Sequence, residues 1–146
     1  MNLWKKRFKQ NSIKRSIILT FAVLGLFSLT SCAIFNGPTT MNLDNKSNGK
    51  NIKAKTGDTI VINLKGNATT GYTWVLQKYN EELLKFIDVK YETENSNLMG
   101  AGGTWVATFQ IIKSGSSKIE FDYKRPWETK KTPLQNYIVT ITAKDK

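Results

Sequence analysis

The residues that could carry chemistry are few. The chain has no histidine and a single cysteine, Cys32. Without imidazole there is no Ser-His or Cys-His nucleophilic pair, and thiolate–imidazole zinc sites fall away with it. Two carboxylate pairs are near enough in sequence to act together: Glu81 with Glu82, and Glu92 with Glu94 on one strand face. Paired carboxylates can hydrolyse glycosides, but lysines and polar residues surround both pairs, as expected of solvated surface acids. The residue pattern therefore points away from an enzyme, and it implies no cofactor and no metal. Three segments stand out instead by their backbone-shaping residues. The first is Asn67-Ala68-Thr69-Thr70-Gly71-Tyr72, where Asn closes an Asx-turn and Gly admits positive φ. The second is Gly100-Ala101-Gly102-Gly103, which leads into a strand and not, as a phosphate loop would, into a helix. The third is Arg125-Pro126-Trp127. Asn67-Ala68-Thr69 and Asn45-Lys46-Ser47 also match the glycosylation sequon, a pattern common by chance.

The elements that must hold these loops are strands. Ile60, Ile62 and Leu64 alternate with Val61, Asn63 and Lys65. The same period of two runs through Tyr72–Gln77, Thr104–Ile111, Lys118–Tyr123 and Tyr137–Thr142. One apolar face per run marks half-buried strands. Further strands are expected near Ile52–Lys55 and Ile87–Glu92, a single helical turn at Glu81–Lys85, and a hairpin connection at Lys113–Ser117. About seven to eight short strands with no long helix predict an all-β, antiparallel sandwich. It would be immunoglobulin-like in architecture only, because the lone cysteine rules out the inter-sheet disulfide of antibody domains.

The amino terminus reads as a leader. Residues 1–15 hold Lys5, Lys6, Arg7, Lys9, Lys14 and Arg15 with no acid, and an apolar run from Ile17 to Leu29 follows. That run is shorter than the roughly 20 apolar residues of a membrane span and fits a secretory signal. It closes in Leu29-Thr30-Ser31-Cys32, which resembles the lipobox of bacterial lipoproteins. The resemblance implies that residues 1–31 are removed and that Cys32 carries lipid. Residues 32–50, rich in Asn and Gly, are expected to be a flexible tether, with room for a short strand around Met41–Leu43. Residues 51–146 then form one domain. The protein would sit in the membrane or envelope facing outside the cytoplasm, with Ala33 leaving either membrane surface open. Removing the leader lowers the net charge from +11 to +5, with 16 basic against 11 acidic residues remaining. That balance, without a basic run interleaved with aromatics, argues against a nucleic-acid partner.

Together and in this order, the three loop segments resemble the chagasin family of cysteine-protease inhibitors. That family is marked by Asn-Pro-Thr-Thr-Gly-aromatic, Gly-x-Gly-Gly and Arg-Pro-aromatic. The likeness extends from about Ile52 to the carboxyl terminus and includes the Gly57-Asp58-Thr59 lead-in and Tyr72-Thr73-Trp74. The chain departs at Ala68, where the family has proline. The resemblance implies a monomeric, reversible, non-covalent inhibitor of papain-like proteases. Residues Asn67, Ala68, Thr69, Thr70, Gly71 and Tyr72 would enter the catalytic cleft, while Gly100, Ala101, Gly102 and Gly103, with Arg125, Pro126 and Trp127, would grip its rims. Arg125 has two possible uses at this point, pairing with an enzyme acid or bracing its own loop. A competing reading from the residues alone is a non-catalytic envelope module whose exposed aromatics bind a wall polymer or another lipoprotein.

Overall fold

The computed structural model describes residues 37–94 and 100–146; the leader and Cys32 lie outside the described residues. The elements are β1 (Thr40–Asp44), a 3-10 turn at Asn45–Ser47, β2 (Asn51–Lys55), β3 (Thr59–Gly66), a 3-10 turn at Ala68–Thr70, β4 (Thr73–Lys78), β5 (Leu84–Thr93), β6 (Gly103–Ile111), β7 (Gly115–Lys124) and β8 (Gln135–Lys144). They form two four-stranded sheets, one ordered β1-β3-β6-β5 and the other β2-β8-β7-β4. This is the expected sandwich.

The period-two runs deliver its core. Ile60, Ile62 and Leu64 face inward from β3 against Ile119, Phe121, Val139 and Ile141 of the other sheet, while Phe109 and Ile111 close the centre from β6. Fully burying such a side chain stabilises by about 1.5–3 kcal/mol, so the alternation alone fixes which face of each strand turns in.

Three details differ from the sequence reading. The sheets are not wholly antiparallel: β1 runs parallel to β3, and β2 parallel to β8. The reason is that the chain crosses between sheets after β1 and again after β2, so β1 and β3 leave in the same direction. Second, much of the expected tether belongs to the domain. β1 adds an edge strand to the first sheet, Leu43 joins the core, and an Asp44–Ser47 capping box orders the turn that follows. Asn48 and Gly49 are then fastened to β8, through Ile138 N–H on Asn48 Oδ1 (2.8 Å) and Gly49 N–H on Ile138 O (2.7 Å). The asparagines that suggested flexibility serve as caps. Third, Lys113–Ser117 is no hairpin, because β6 and β7 lie in different sheets and the segment carries the chain across the sandwich, entering β7 at Gly115. The expected helical turn is present over Asn80–Leu84, closed by Leu84 N–H on Asn80 O (2.9 Å), but Leu84 and Lys85 already belong to β5.

The register decides where the loops go. Gly66 at the end of β3 lies opposite Gly103 at the start of β6, and Thr93 at the end of β5 pairs with the same residue. In the second sheet, Thr73 starts β4 opposite Lys124 at the end of β7, and Gln135 starts β8 opposite Tyr123. The three segments singled out above, which belong to the β3–β4, β5–β6 and β7–β8 connections, therefore emerge at one end of the sandwich.

Candidate functional site

The first loop is built around Asn67. Its extended backbone (φ −128°, ψ 106°) caps a single 3-10 turn, and Gly71 ends that turn at φ 80°, where a side chain would be strained. Asn67 Oδ1 accepts from Thr69 N–H (3.0 Å) and Thr69 Oγ1 (2.7 Å), while Asn67 O accepts from Thr70 Oγ1 (2.7 Å). Both threonine hydroxyls are thus spent inside the turn. Ala68, Thr69 and Thr70 are exposed at the tip. A partner surface closing over them would strip little water from unpaired polar groups, which is the usual cost of burying a hydroxyl.

Beneath the turn is an aromatic platform. Tyr123 of β7 is buried, with its ring centroid 5.1 Å from Trp74, 5.4 Å from Tyr72 and 6.1 Å from Trp105. Its hydroxyl accepts from Asn67 N–H (2.9 Å) and donates to Asn67 O (3.4 Å). Trp74 Nε1–H holds Lys65 O at 3.1 Å, fixing the strand just before the loop. Tyr91 of β5 packs on Trp105 (4.3 Å) and its hydroxyl accepts a long bond from Ala68 N–H (3.5 Å). The sequence reading did not single out Tyr91 or Tyr123 as supports of the loop. Their inward register on β5 and β7, adjacent to loop ends, was the available signal.

The second loop is tied to the first by Asn67 Nδ2–H donating to Gly100 O (3.0 Å). Gly103 is buried, and a Cβ there would fall 2.5 Å from Glu92 O and from the Tyr91 ring. Glycine at that position therefore lets the platform reach under the loop, a structural use alongside the expected close approach to a partner. Ala101 and Gly102 are half-buried, and Gly102 O accepts from Glu94 N–H at 3.0 Å.

In the third loop Arg125 braces its neighbours. Its Nε and Nη2 donate to Thr70 O (3.3 and 3.1 Å), and its guanidinium carbon lies 4.8 Å from the centroid of the Tyr72 ring. Nη1 meets Glu128 Oε1 at 3.4 Å, and Lys131 Nζ reaches the same oxygen at 3.1 Å. The hydrogen bond from Lys131, with a smaller contribution from Arg125, holds the Glu128 carboxyl below its ordinary value against a weaker opposing desolvation. Of the two uses left open for Arg125, the geometry realises the brace. Pro126 and Trp127 are exposed, Trp127 by 67% of its surface. One edge of the indole rests on Gly71, where a Cβ would come within 2.8 Å of the ring.

The acid pairs considered for hydrolysis sit elsewhere in character. Glu92 pairs with Lys90 (3.2 Å), and Glu94 with Lys65 (2.9 Å), all well exposed. Glu81 and Glu82 are exposed in the β4–β5 turn at the far end.

The described residues thus form a β-sandwich whose first end loop is fastened to the second through Asn67 and Gly100 and to the third through Thr70 and Arg125. The chain belongs to the chagasin family of peptidase inhibitors: the family model described as chagasin family peptidase inhibitor I42 matches residues 53–141. It is 27% identical over 100 residues to chagasin of Trypanosoma cruzi, covering 66% of this chain and 91% of that protein. It is 31% identical over 87 residues to amoebiasin-1 of Entamoeba histolytica, covering 60% and 84% respectively. In fold it is similar to the crystal structure of the cysteine protease inhibitor EhICP2 from Entamoeba histolytica, with a TM-score of 0.67, 24% identity, and coverage of 73% of this chain and 96% of that one.

Proposed function

We propose that the protein is a reversible, non-covalent inhibitor of papain-like cysteine proteases, held at the outer face of a membrane by lipid on Cys32. The single observation that carries the inhibitor reading is the bonding of the three family motifs into one edge, through Asn67 to Gly100 and Arg125 to Thr70. Such an edge loses little conformational freedom when a cleft closes on it, and binding strength depends heavily on that saving. The tip Ala68–Thr70 enters the cleft and presents the threonine methyl groups with their hydroxyls turned inward. Gly100–Gly103 offers backbone on one flank. Trp127 offers, on the other, a large aromatic anchor supported from one side, the kind of residue that dominates interfaces. None of the three segments holds a cysteine or an electrophilic side chain, the groups that could form a bond with the enzyme's thiolate.

The test is titration of papain with the purified protein. Inhibition should follow a binding isotherm, be reversed on dilution, and return the inhibitor with the 66–72 segment uncut. Absence of inhibition, or cleavage within that segment at the rate of an ordinary substrate, would refute the reading.

A further inference from the structure

The two ends of the sandwich treat their charges differently. At the loop end Lys65 pairs with Glu94, Lys124 with Asp122, and Arg125 and Lys131 with Glu128, while the exposed Lys130 has no ion pair among the described residues. At the opposite end lie Lys53, Lys55, Lys113, Lys144 and Lys146. All are exposed, and none enters a salt bridge among the described residues. The register gathers them. Lys55 is the partner of Lys144 at the ends of β2 and β8, and Lys53 lies beside β8 opposite Thr142. The Thr56–Asp58 turn is bonded to Lys144 O and Ile111 O, which brings Lys113 alongside, and Lys146 Nζ would lie 3.2 Å from a Cβ at Gly57. The acids at this end do not cancel the group. Asp58 is buried with both carboxylate oxygens accepting backbone N–H groups from Thr39 and Lys55; Asp145 faces Thr56, and Glu81 and Glu82 lie on the β4–β5 side.

The chain also enters the domain here. Thr39 O accepts from Thr59 N–H (2.9 Å), and Thr40 pairs with Thr59 at the start of β3, so residue 37 begins beside the lysines. The eight residues of β3 separate this end from Gly66 by about 25 Å at ~3.3 Å per residue.

We propose that the lysine-bearing end is a docking face for a membrane surface of anionic phospholipids, which seats the domain upright with its loop edge turned outward. The naming of the membrane as occupant rests on the anchoring reading above, since the segment holding Cys32 joins the fold at this same end. The attraction itself rests on the charge placement and is testable without lipid on the chain. Each lysine near an anionic bilayer contributes about fivefold in binding, so several together are strong and salt-sensitive.

The experiment uses a chain starting at residue 32 with Cys32→Ser. It contains every strand and every core residue among the described residues, all of which lie between residues 40 and 144. Co-sedimentation with phosphatidylcholine vesicles is compared with vesicles containing phosphatidylglycerol. Binding should appear only with the anionic vesicles and vanish in 1 M salt, where the screening length is about 3 Å. Replacing Lys53, Lys55, Lys144 and Lys146 together by Gln should weaken it by at least about 50-fold while leaving papain inhibition unchanged, which verifies folding. Replacing Lys65, Lys90, Lys124 and Lys131 by Gln removes the same charge from elsewhere and should leave vesicle binding within about threefold. Equal losses from both sets would reduce the effect to net charge and overturn the proposal. So would failure to bind anionic vesicles, including the case where the chain binds soluble polyphosphate but no vesicle. Either failure would leave the anchor at Cys32 standing, because that is read separately from the mass of the native protein.

Discussion

At position 68 the chain has alanine where the first of the three family motifs has proline, and the structure states what restoring it should do. Ala68 is the first residue of the 3-10 turn, a position whose φ suits proline. Asn67 before it has φ −128° and ψ 106°, inside or close to the extended region that a following proline enforces. Neither residue would have to move far. The loss is one hydrogen bond, from Ala68 N–H to Tyr91 Oη, which at 3.5 Å on an exposed turn is at the limit of being one. The capping bonds of Asn67 to Thr69 and Thr70 do not involve that N–H. Proline at a compatible site is worth about 0.4–1 kcal/mol through the conformations it removes. Ala68→Pro should therefore strengthen inhibition about two- to fivefold where that ordering falls on binding, mostly through slower dissociation. The assay is the inhibition constant and dissociation rate against one papain-like enzyme, alongside thermal melting of both forms. A raised melting temperature with unchanged inhibition would mean that the loop is ordered yet stays outside the cleft, and the wedge geometry would fail. A lowered melting temperature would mean that the Tyr91 bond matters more than its length indicates.

The other predictions probe the same edge and its attachment. Trp127→Ala should cost at least about 2 kcal/mol of protease binding, roughly 30-fold, with the melting temperature nearly unchanged because the ring lies outside the core; unfolding would place Trp127 among structural residues. Tyr123→Phe keeps the buried ring but leaves Asn67 N–H unpartnered, costing about 1–3 kcal/mol; inhibition should weaken by about fivefold or more, and a stability loss without that weakening would refute the supporting role of the hydroxyl. Glu128 has a carboxyl pKa depressed by Lys131 and Arg125, so its contribution to the third loop is complete above the unfolded value of 4.5 and is lost as pH falls through the lower folded value. Stability of the wild type relative to Glu128→Gln should accordingly be level from neutral pH to about that value and converge below it; convergence already near pH 6 would sink the assignment. Cys32→Ser should shift the protein from the membrane fraction to the soluble one or leave it unprocessed, whereas a native protein with free Cys32 and residues 1–31 intact would refute the anchor.

The fold was legible because its information is local and periodic. A strand with one buried face writes its period into the sequence, and Ile60–Leu64, Ile119–Tyr123 and Tyr137–Ile141 turn inward as their alternation requires. Pairing across sheets is not local. Nothing between Ile111 and Lys118 distinguishes a hairpin from a crossing, because Gly and Ser serve both, and only the partners of β6 and β7 settle it. The tether boundary failed for a related reason. Asn45 and Asn48 resemble linker residues in composition, yet each side chain bonds backbone more than ten residues away, at Lys65 and Asn136. Caps and linkers share residue types; only contacts separate them.

The site was legible in its exposed residues and hidden in its supports. Thr69, Thr70 and Trp127 carry motif positions that a sequence displays, but a motif does not say what keeps a loop in one shape. Here that task falls to residues of ordinary strand type. Tyr123 and Tyr91 stand on inward faces where phenylalanine would bury equally well, and their hydroxyls reach the backbone of Asn67 and Ala68. Gly103 makes room for Tyr91, and Arg125 closes the edge from the other side. Much of the rigidity that proline would supply at position 68 is thus met by the core itself, through Tyr123 and the Asn67 cap. On this account Ala68→Pro should give its largest gain in the Tyr123→Phe background, where the core no longer orders the loop. A gain equal in both backgrounds would mean that proline and the tyrosine act on different steps.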